Sequence, residues 1–343
     1  MKQVKIGKVG ILIPTYNRRS YLVDALKSAC TQTWNNVDII VIDNGSTDGT
    51  AEFMRGISDP RVRYLTNDRN IGLIGSINRG ISLFPADVEW CTVLCDDDVL
   101  HIDFIFHMIG FFENHPELLI AYSHILFVDK MLHEIRHAVP SPMLESPLSY
   151  FKARSYAKRE SYLSSFMFHK KSFFEIGGYP EFASGCWTDD ALLFHLSVKT
   201  GVLGYQKNAC CSIRIHEAAE SVSAPGGLRK QFDTALDFKQ YCLRITKDYK
   251  LSEPNIIRLV NHSIKGFLYV LCTTQFRNHL NFHAGKDDFY HTIKNSYHYL
   301  PLRVKIDYLA YTYFKIALER YRLYTMGWKL IGSIYKLFRA YLM

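Results

Sequence analysis

Cys95-Asp96-Asp97-Asp98 sets three adjacent carboxylates directly after the apolar run Trp90–Leu94. Like charges this close repel, and a divalent cation relieves them; all-oxygen ligation suits Mg2+ or Mn2+. The plainer alternative is a solvated acidic turn capping a helix that starts near Ile102. A second carboxylate stands in a similar place. Ile39-Ile40-Val41-Ile42 ends at Asp43 and gives way to a loop punctuated by Gly45 and Gly49. The glycines suit positive φ and Ser46 or Asp48 suits an N-cap, but Asp43 caps nothing obvious. The loop is not a Walker loop, since no lysine follows its last glycine, and it lacks GxGxxG. Asp189-Asp190 opens a stretch with helical spacing. There one carboxylate raises its neighbour's pKa and improves it as a general base, or the two simply cap the helix. His216 follows the short apolar run Cys211–Ile215, where a histidine is either structural or a ligand.

These residues need elements to hold them. β-branched runs at Val9–Ile13, Asp38–Ile42, Val62–Leu65 and Trp90–Leu94 predict strands. Helical spacing such as Leu22, Leu26 and Ala29 lies between them, with Asn17 as the expected N-cap. The alternation predicts an α/β domain around a mainly parallel sheet buried on both faces. Such sheets bind ligands beyond the carboxyl ends of their strands. Pro14–Asn17, Asp43–Ser46, Asn67–Asn70 and Cys95–Asp98 are therefore expected to converge on one edge. Residues 136–159, with Pro140, Pro142 and Pro147, read as a long loop or lid. A helix from about Asp189 to Lys199 and two short strands, Val202–Tyr205 and Cys211–Ile215, follow. After Gly227 the pattern is helical to the end, which divides the chain into a catalytic region, 1–225, and a helical region, 226–343.

At 343 residues, with 48% hydrophobic and 22% charged residues, the chain can bury a large core and is not disordered. Of the net charge of +8, residues 302–343 carry +6, from eight Lys/Arg against Asp307 and Glu319. The charge is a property of the tail and gives no support to nucleic acid as a partner. Eight cysteines without a CxxC read as reduced thiols. No leader is evident, and the best apolar span, 256–276, is broken by Arg258, His262 and Lys265. The expectation is a cytoplasmic protein. On a helix over 328–342, Leu330, Ile331, Ile334, Leu337, Phe338 and Tyr341 share one side and Lys329, Gly332, Ser333 and Lys336 the other. That face suits either the inner, anionic membrane surface or a protein partner. Oligomeric state is open, a homo-oligomer included.

"ILIPTYNR" (11–18), "IIVIDNGSTDGT" (39–50), "RNIGLIGSINRGI" (69–81) and "VLCDDDVL" (93–100) occur in register. Together they resemble an inverting family 2 glycosyltransferase of the GT-A fold, a Rossmann-like sheet flanked by helices, over about residues 7–225. The resemblance implies a nucleotide-diphosphate sugar donor held by Pro14, Thr15, Tyr16 and Asp43, with Arg69, Asn70 and Gly72 near the nucleotide. It implies a DxD element in which Asp96 takes the ribose and Asp97, beside Asp98, takes the metal, Mn2+ or Mg2+. A common form of that element begins with Asp, and Cys95 stands there instead. "EIGGYPEF" (175–182), with Gly177 and Gly178, is similar to the acceptor-side segment. "WTDDALLFHL" (187–196) is similar to the segment bearing the base, Asp189 or Asp190, with the helix register favouring Asp189. "IRIHEAAESVS" (213–223) resembles an R-x-H element whose histidine, His216, completes the metal site or meets the diphosphate. The implied reaction transfers a sugar to a hydroxyl of a saccharide or lipid-linked saccharide in surface polysaccharide synthesis. Two alternatives stay open. One is a non-catalytic nucleotide-binding scaffold, favoured only by Cys95. The other is a nucleotidyltransferase, disfavoured because "PTYNRR" lacks the glycine-rich loop.

Overall fold

The structure, a computed structural model, describes residues 7–155, 158–182, 184–185, 187–216, 227–251, 254 and 256–260. All of these fall in the first of two units, Met1–Ile264. The amphipathic stretch 328–342 and the rest of the basic tail lie outside the described residues. No helix among the described residues is long and apolar enough to cross a membrane.

Four expected strands form as β1 (Lys8–Thr15), β2 (Val37–Asp43), β3 (Val62–Thr66) and β4 (Val88–Val93). β2 pairs in parallel with both β1 and β3, and β1 pairs in parallel with β4. The helices α1 (Arg19–Cys30), α2 (Thr50–Arg55) and α3 (Leu73–Ser82) connect them. Period-two alternation splits each strand between two cores. Val9, Ile11, Ile13, Ile39 and Val41 pack with Leu22, Ala25, Leu26 and Ala29 of α1. Leu12, Ile40 and Ile42 turn to the other face, against Ile74, Ile77 and Ile81 of α3. The register sets Thr15 opposite Asp43 and Asp43 opposite Thr66, so the polar strand ends lie side by side.

Close packing fixes α3 over β1. A Cβ on Gly80 would lie 2.4 Å from Leu12 Cδ1 and 2.8 Å from Leu12 Cδ2, and Leu12 is fully buried two residues before Pro14. Gly80→Ala is therefore expected to destabilise the fold by about 1–3 kcal/mol through overpacking, read as a lower urea midpoint at unchanged slope.

The second half of the sheet adds β5 (Val99–Leu100), β6 (Ile120–Val128), β7 (Glu134–His137), β8 (Leu144–Glu145), β9 (Phe166–His169) and β10 (Leu203–Arg214). The sheet order is β3-β2-β1-β4-β9-β6-β10-β5, with β7 on β6 and β8 on β10. β9 runs antiparallel between β4 and β6, while β6 and β10 are parallel. The helices here are α4 (Phe104–Asn114), α5 (Pro147–Ser155), α6 (Lys170–Glu175), α7 (Thr188–Thr200) and α8 (Gly227–Asp248). Phe151 of α5, Ala191, Phe194 and Val198 of α7 and Phe238, Cys242 and Ile245 of α8 share a third apolar cluster. Thus α8 packs onto the sheet-bearing unit.

Three local expectations are corrected. The stretch read as one long loop, 136–159, contains β8 and α5, because Pro147 starts a helix and the Ser146 hydroxyl accepts the Ser149 N–H at 3.2 Å. The two short strands after α7 are one strand, β10, with a register shift between Gln206 and Cys210. Asn17 does not cap α1; it adopts φ +53° and its Oδ1 accepts the Thr47 N–H at 2.7 Å.

Candidate active site

The loops after β1, β2 and β3 are tied to one another. Asp48 Oδ2 accepts the Arg19 N–H at 2.8 Å, so the second loop caps the helix that follows the first. Asn17 N–H donates to Ser46 Oγ at 2.8 Å. Asn44 joins the second loop to the third, donating to Asn70 Oδ1 at 2.8 Å and accepting from Asn67 Nδ2 at 2.9 Å and Ile71 N–H at 3.0 Å. Asn70 Oδ1 also accepts the Gly72 N–H at 2.8 Å. Gly72 has φ +80° and open space where a Cβ would stand, leaving its backbone approachable. Tyr16 and Arg69 are exposed at this edge, next to Pro14 and Thr15 at the end of β1.

Asp43 braces its own loop after all. It is 2% exposed; Oδ1 accepts the Ser46 N–H at 2.8 Å and Oδ2 accepts the Tyr64 hydroxyl at 2.5 Å. Burial, and then the hydrogen bond to Asp43, push the Tyr64 phenol well up, so it stays a donor. A carboxylate has about four acceptor sites, so two partners leave Asp43 acceptor capacity for a ligand.

The acidic triplet is buried and differentiated. Asp96 Oδ2 accepts the Thr15 hydroxyl at 2.8 Å. Asp97 Oδ2 meets Arg18 Nη1 at 2.8 Å and lies 3.0 Å from His216 Nε2. Asp98 accepts the Ser164 hydroxyl at 2.5 Å and the Arg214 N–H at 3.0 Å. Burial, followed by the Asp97 charge, pushes the Asp96 carboxyl up to about 7. The same two causes, in the same order, push Asp98 well above its ordinary value. Negative charge gathers at this strand end, with Arg18 beside it, and the donor set suits a cation. Ligand atoms of Cys95, Asp97 and Asp98 lie within 4.8 Å of one another. The His216 side chain, 4% exposed, points Nε2 at Asp97, while its buried Nδ1 has no partner among the described residues. The solvated acidic turn is excluded by this burial.

Asp189 and Asp190 open α7 but differ sharply. Arg154 of α5 grips Asp190 through two bonds, Nε to Oδ1 at 2.9 Å and Nη2 to Oδ2 at 3.2 Å. Asp190 is buried; Asp189 is partly exposed and accepts the Asp190 N–H at 2.9 Å. Burial and then the Asp190 charge push the Asp189 carboxyl up to about 7. The Tyr179 phenol is pushed well up, by burial first and then by the Asp189 charge. Gly177 and Gly178, at φ +87° and +77°, turn the chain from α6 toward Tyr179. A Cβ on Gly178 would meet Asn78 Oδ1 at 2.8 Å, so its close approach is to Asn78 of α3.

Four residues of the site carried no expectation: Arg18, Tyr64, Arg154 and Ser164. Arg18 lies within the quoted "ILIPTYNR", so its place beside the triplet had a signal; the others are brought in by strand pairing and by α5.

The comparisons with known proteins follow this geometry. Residues 10–175 match the family described as Glycosyl transferase family 2. The succinoglycan biosynthesis protein ExoO of Rhizobium meliloti (strain 1021) is 36% identical over 105 residues, 31% of this chain and 30% of that protein. The putative colanic acid biosynthesis glycosyl transferase WcaA of Escherichia coli (strain K12) is 27% identical over 153 residues, 44% of this chain and 53% of that protein. These matches span little more than half of the relatives' length at most. Residues 1–349 of S. aureus TarS, crystallised with UDP-GlcNAc, superpose with a TM-score of 0.61 at 14% identity, covering 87% of this chain and 82% of that one. At that identity the likeness shows the fold, which is GT-A.

Proposed function

We propose a function from the premise that residues 10–175 belong to glycosyl transferase family 2: the chain moves a sugar from a nucleotide-diphosphate donor to a hydroxyl of a saccharide or lipid-linked saccharide. The observation that carries this reading is the convergence of Thr15, Asp96, Asp97, Asp98 and His216 at the carboxyl edge of the sheet. Thr15, Tyr16, Asp43 and Asn70 border the nucleotide, with Asp96 at the ribose. Asp97, Asp98 and His216 would hold Mn2+ or Mg2+, which would offset charge on the departing nucleoside diphosphate. Asp189 accepts the proton of the attacking hydroxyl, and Asp190, clamped by Arg154, holds the pair in place. Attack from the face opposite the leaving group inverts the anomeric centre. A uridine diphosphate sugar is the donor class that the TarS complexes support. ExoO and WcaA support surface polysaccharide as the setting. The acceptor then lies at the membrane's inner face, reached through the basic C-terminal segment.

The test is thermal stability with UDP, GDP, dTDP and CMP, each with and without Mn2+. A nucleotide at about 100 times its Kd adds roughly 2.7 kcal/mol. A rise that needs both one diphosphate and Mn2+ is expected. No rise with any of the four leaves the family assignment standing but removes the enzymatic reading.

A further inference from the structure

Asp97 Oδ2 is a contested oxygen. Arg18 Nη1 sits 2.8 Å from it and 3.4 Å from Asp96 Oδ1, so one guanidinium nitrogen bridges the two carboxylates. His216 Nε2 lies 3.0 Å from the same oxygen. The two partners are not chemically equivalent. A neutral imidazole can present a lone pair at Nε2 by carrying its proton on Nδ1, so His216 can stay in contact and turn from donor to ligand. A guanidinium is always charged and has no acceptor, so it can never become a ligand. A divalent cation at Asp97 therefore competes with it, by contact at Oδ2 and by charge at either oxygen.

We propose that Arg18 is a resident counter-cation of the acidic triplet, and that the donor's diphosphate draws it away so that the metal ion can take Asp97. This rests on the function proposed above and adds the order in which the charges exchange. The backbone around Arg18 is already fixed: Asn17 N–H is bonded to Ser46 and Arg19 N–H to Asp48. The exchange is therefore a side-chain movement. The Arg18 side chain is 24% exposed while those of Asp96 and Asp97 are 6% and 11% exposed, so of the three it is the one that solvent reaches most readily. A diphosphate offers a planar guanidinium the same two-oxygen recognition that the carboxylates give it. Diphosphate and divalent cation then bind cooperatively, because one removes the competitor of the other. Without nucleotide, the protein keeps Asp97 paired with Arg18 and holds metal weakly.

Mn2+ alone, titrated into the full chain and followed by the paramagnetic resonance of free Mn2+, tests this. Arg18→Gln is expected to bind Mn2+ about tenfold or more tightly than wild type in the absence of nucleotide. It is expected to bind UDP more weakly when no metal is present. Arg18→Lys, which keeps the charge, is expected to stay close to wild type for Mn2+ and guards against a folding artefact in the glutamine variant. Equal Mn2+ affinity in Arg18→Gln and wild type overturns the counter-cation role. If wild type still takes up Mn2+ once UDP is added, the proposed function survives that failure. If no variant binds Mn2+ with or without any of the four nucleotides, both readings fall.

Discussion

Asp97→Asn is expected to lower sugar transfer by about 10²–10³-fold with little loss of stability, the scale found when one electrostatic stabiliser of a transition state is removed. Among the described residues, the Asp97 carboxylate bonds two side chains of the site, Arg18 and His216, and no backbone group. An asparagine with its oxygen in the Oδ2 place keeps the acceptor that both share and removes the charge. Asp98 offers a contrast. Its oxygens accept Ser164 Oγ and the Arg214 N–H, which tie β10 and the segment before β9 to the triplet. Asp98→Asn turns part of the side chain into a donor facing other donors and is expected to cost stability as well as activity. Nucleoside diphosphate release from purified protein, read beside the melting temperature, separates the two. Wild-type transfer by Asp97→Asn would remove the metal from the reaction as proposed.

Much of this site was legible because its residues sit at strand ends, where period-two runs stop abruptly. Asp43, Asp97 and the polar loops are found by asking where an apolar strand ends, and their convergence follows from parallel pairing. Cross-loop bonds were not legible in the same way. Asn17 was read as a local cap because propensity scores only neighbours in sequence, whereas its actual partner, Thr47, is brought in by β1–β2 pairing. Arg154 was hidden for another reason. Three prolines made 136–159 read as a loop, and the Ser146-Pro147 helix start inside it went unnoticed. That helix delivers the arginine that distinguishes Asp190 from Asp189. The basic tail remains a sequence argument, as it lies outside the described residues.

Asp189→Asn is expected to lower turnover by about 10²–10⁴-fold, the usual weight of a positioned general base. The base must be deprotonated to work, and Asp189 is pushed up to about 7 by burial and by Asp190. Turnover should accordingly rise with pH through a midpoint at about 7 and level off about one pH unit higher. Asp190→Asn provides the sharper test. It removes the like charge that raises Asp189 and leaves Arg154, whose charge lowers it. The acid limb of the pH profile should then move to lower pH while activity persists, less whatever the loss of the Arg154 clamp costs in positioning. Inactivity of Asp190→Asn at every pH, with Asp189→Asn still turning over, would exchange the two roles. Arg154 would then have to release Asp190 before each transfer. The pH profiles of the two variants thus decide whether the clamp of α5 on α7 steadies the base's neighbour or gates the base itself.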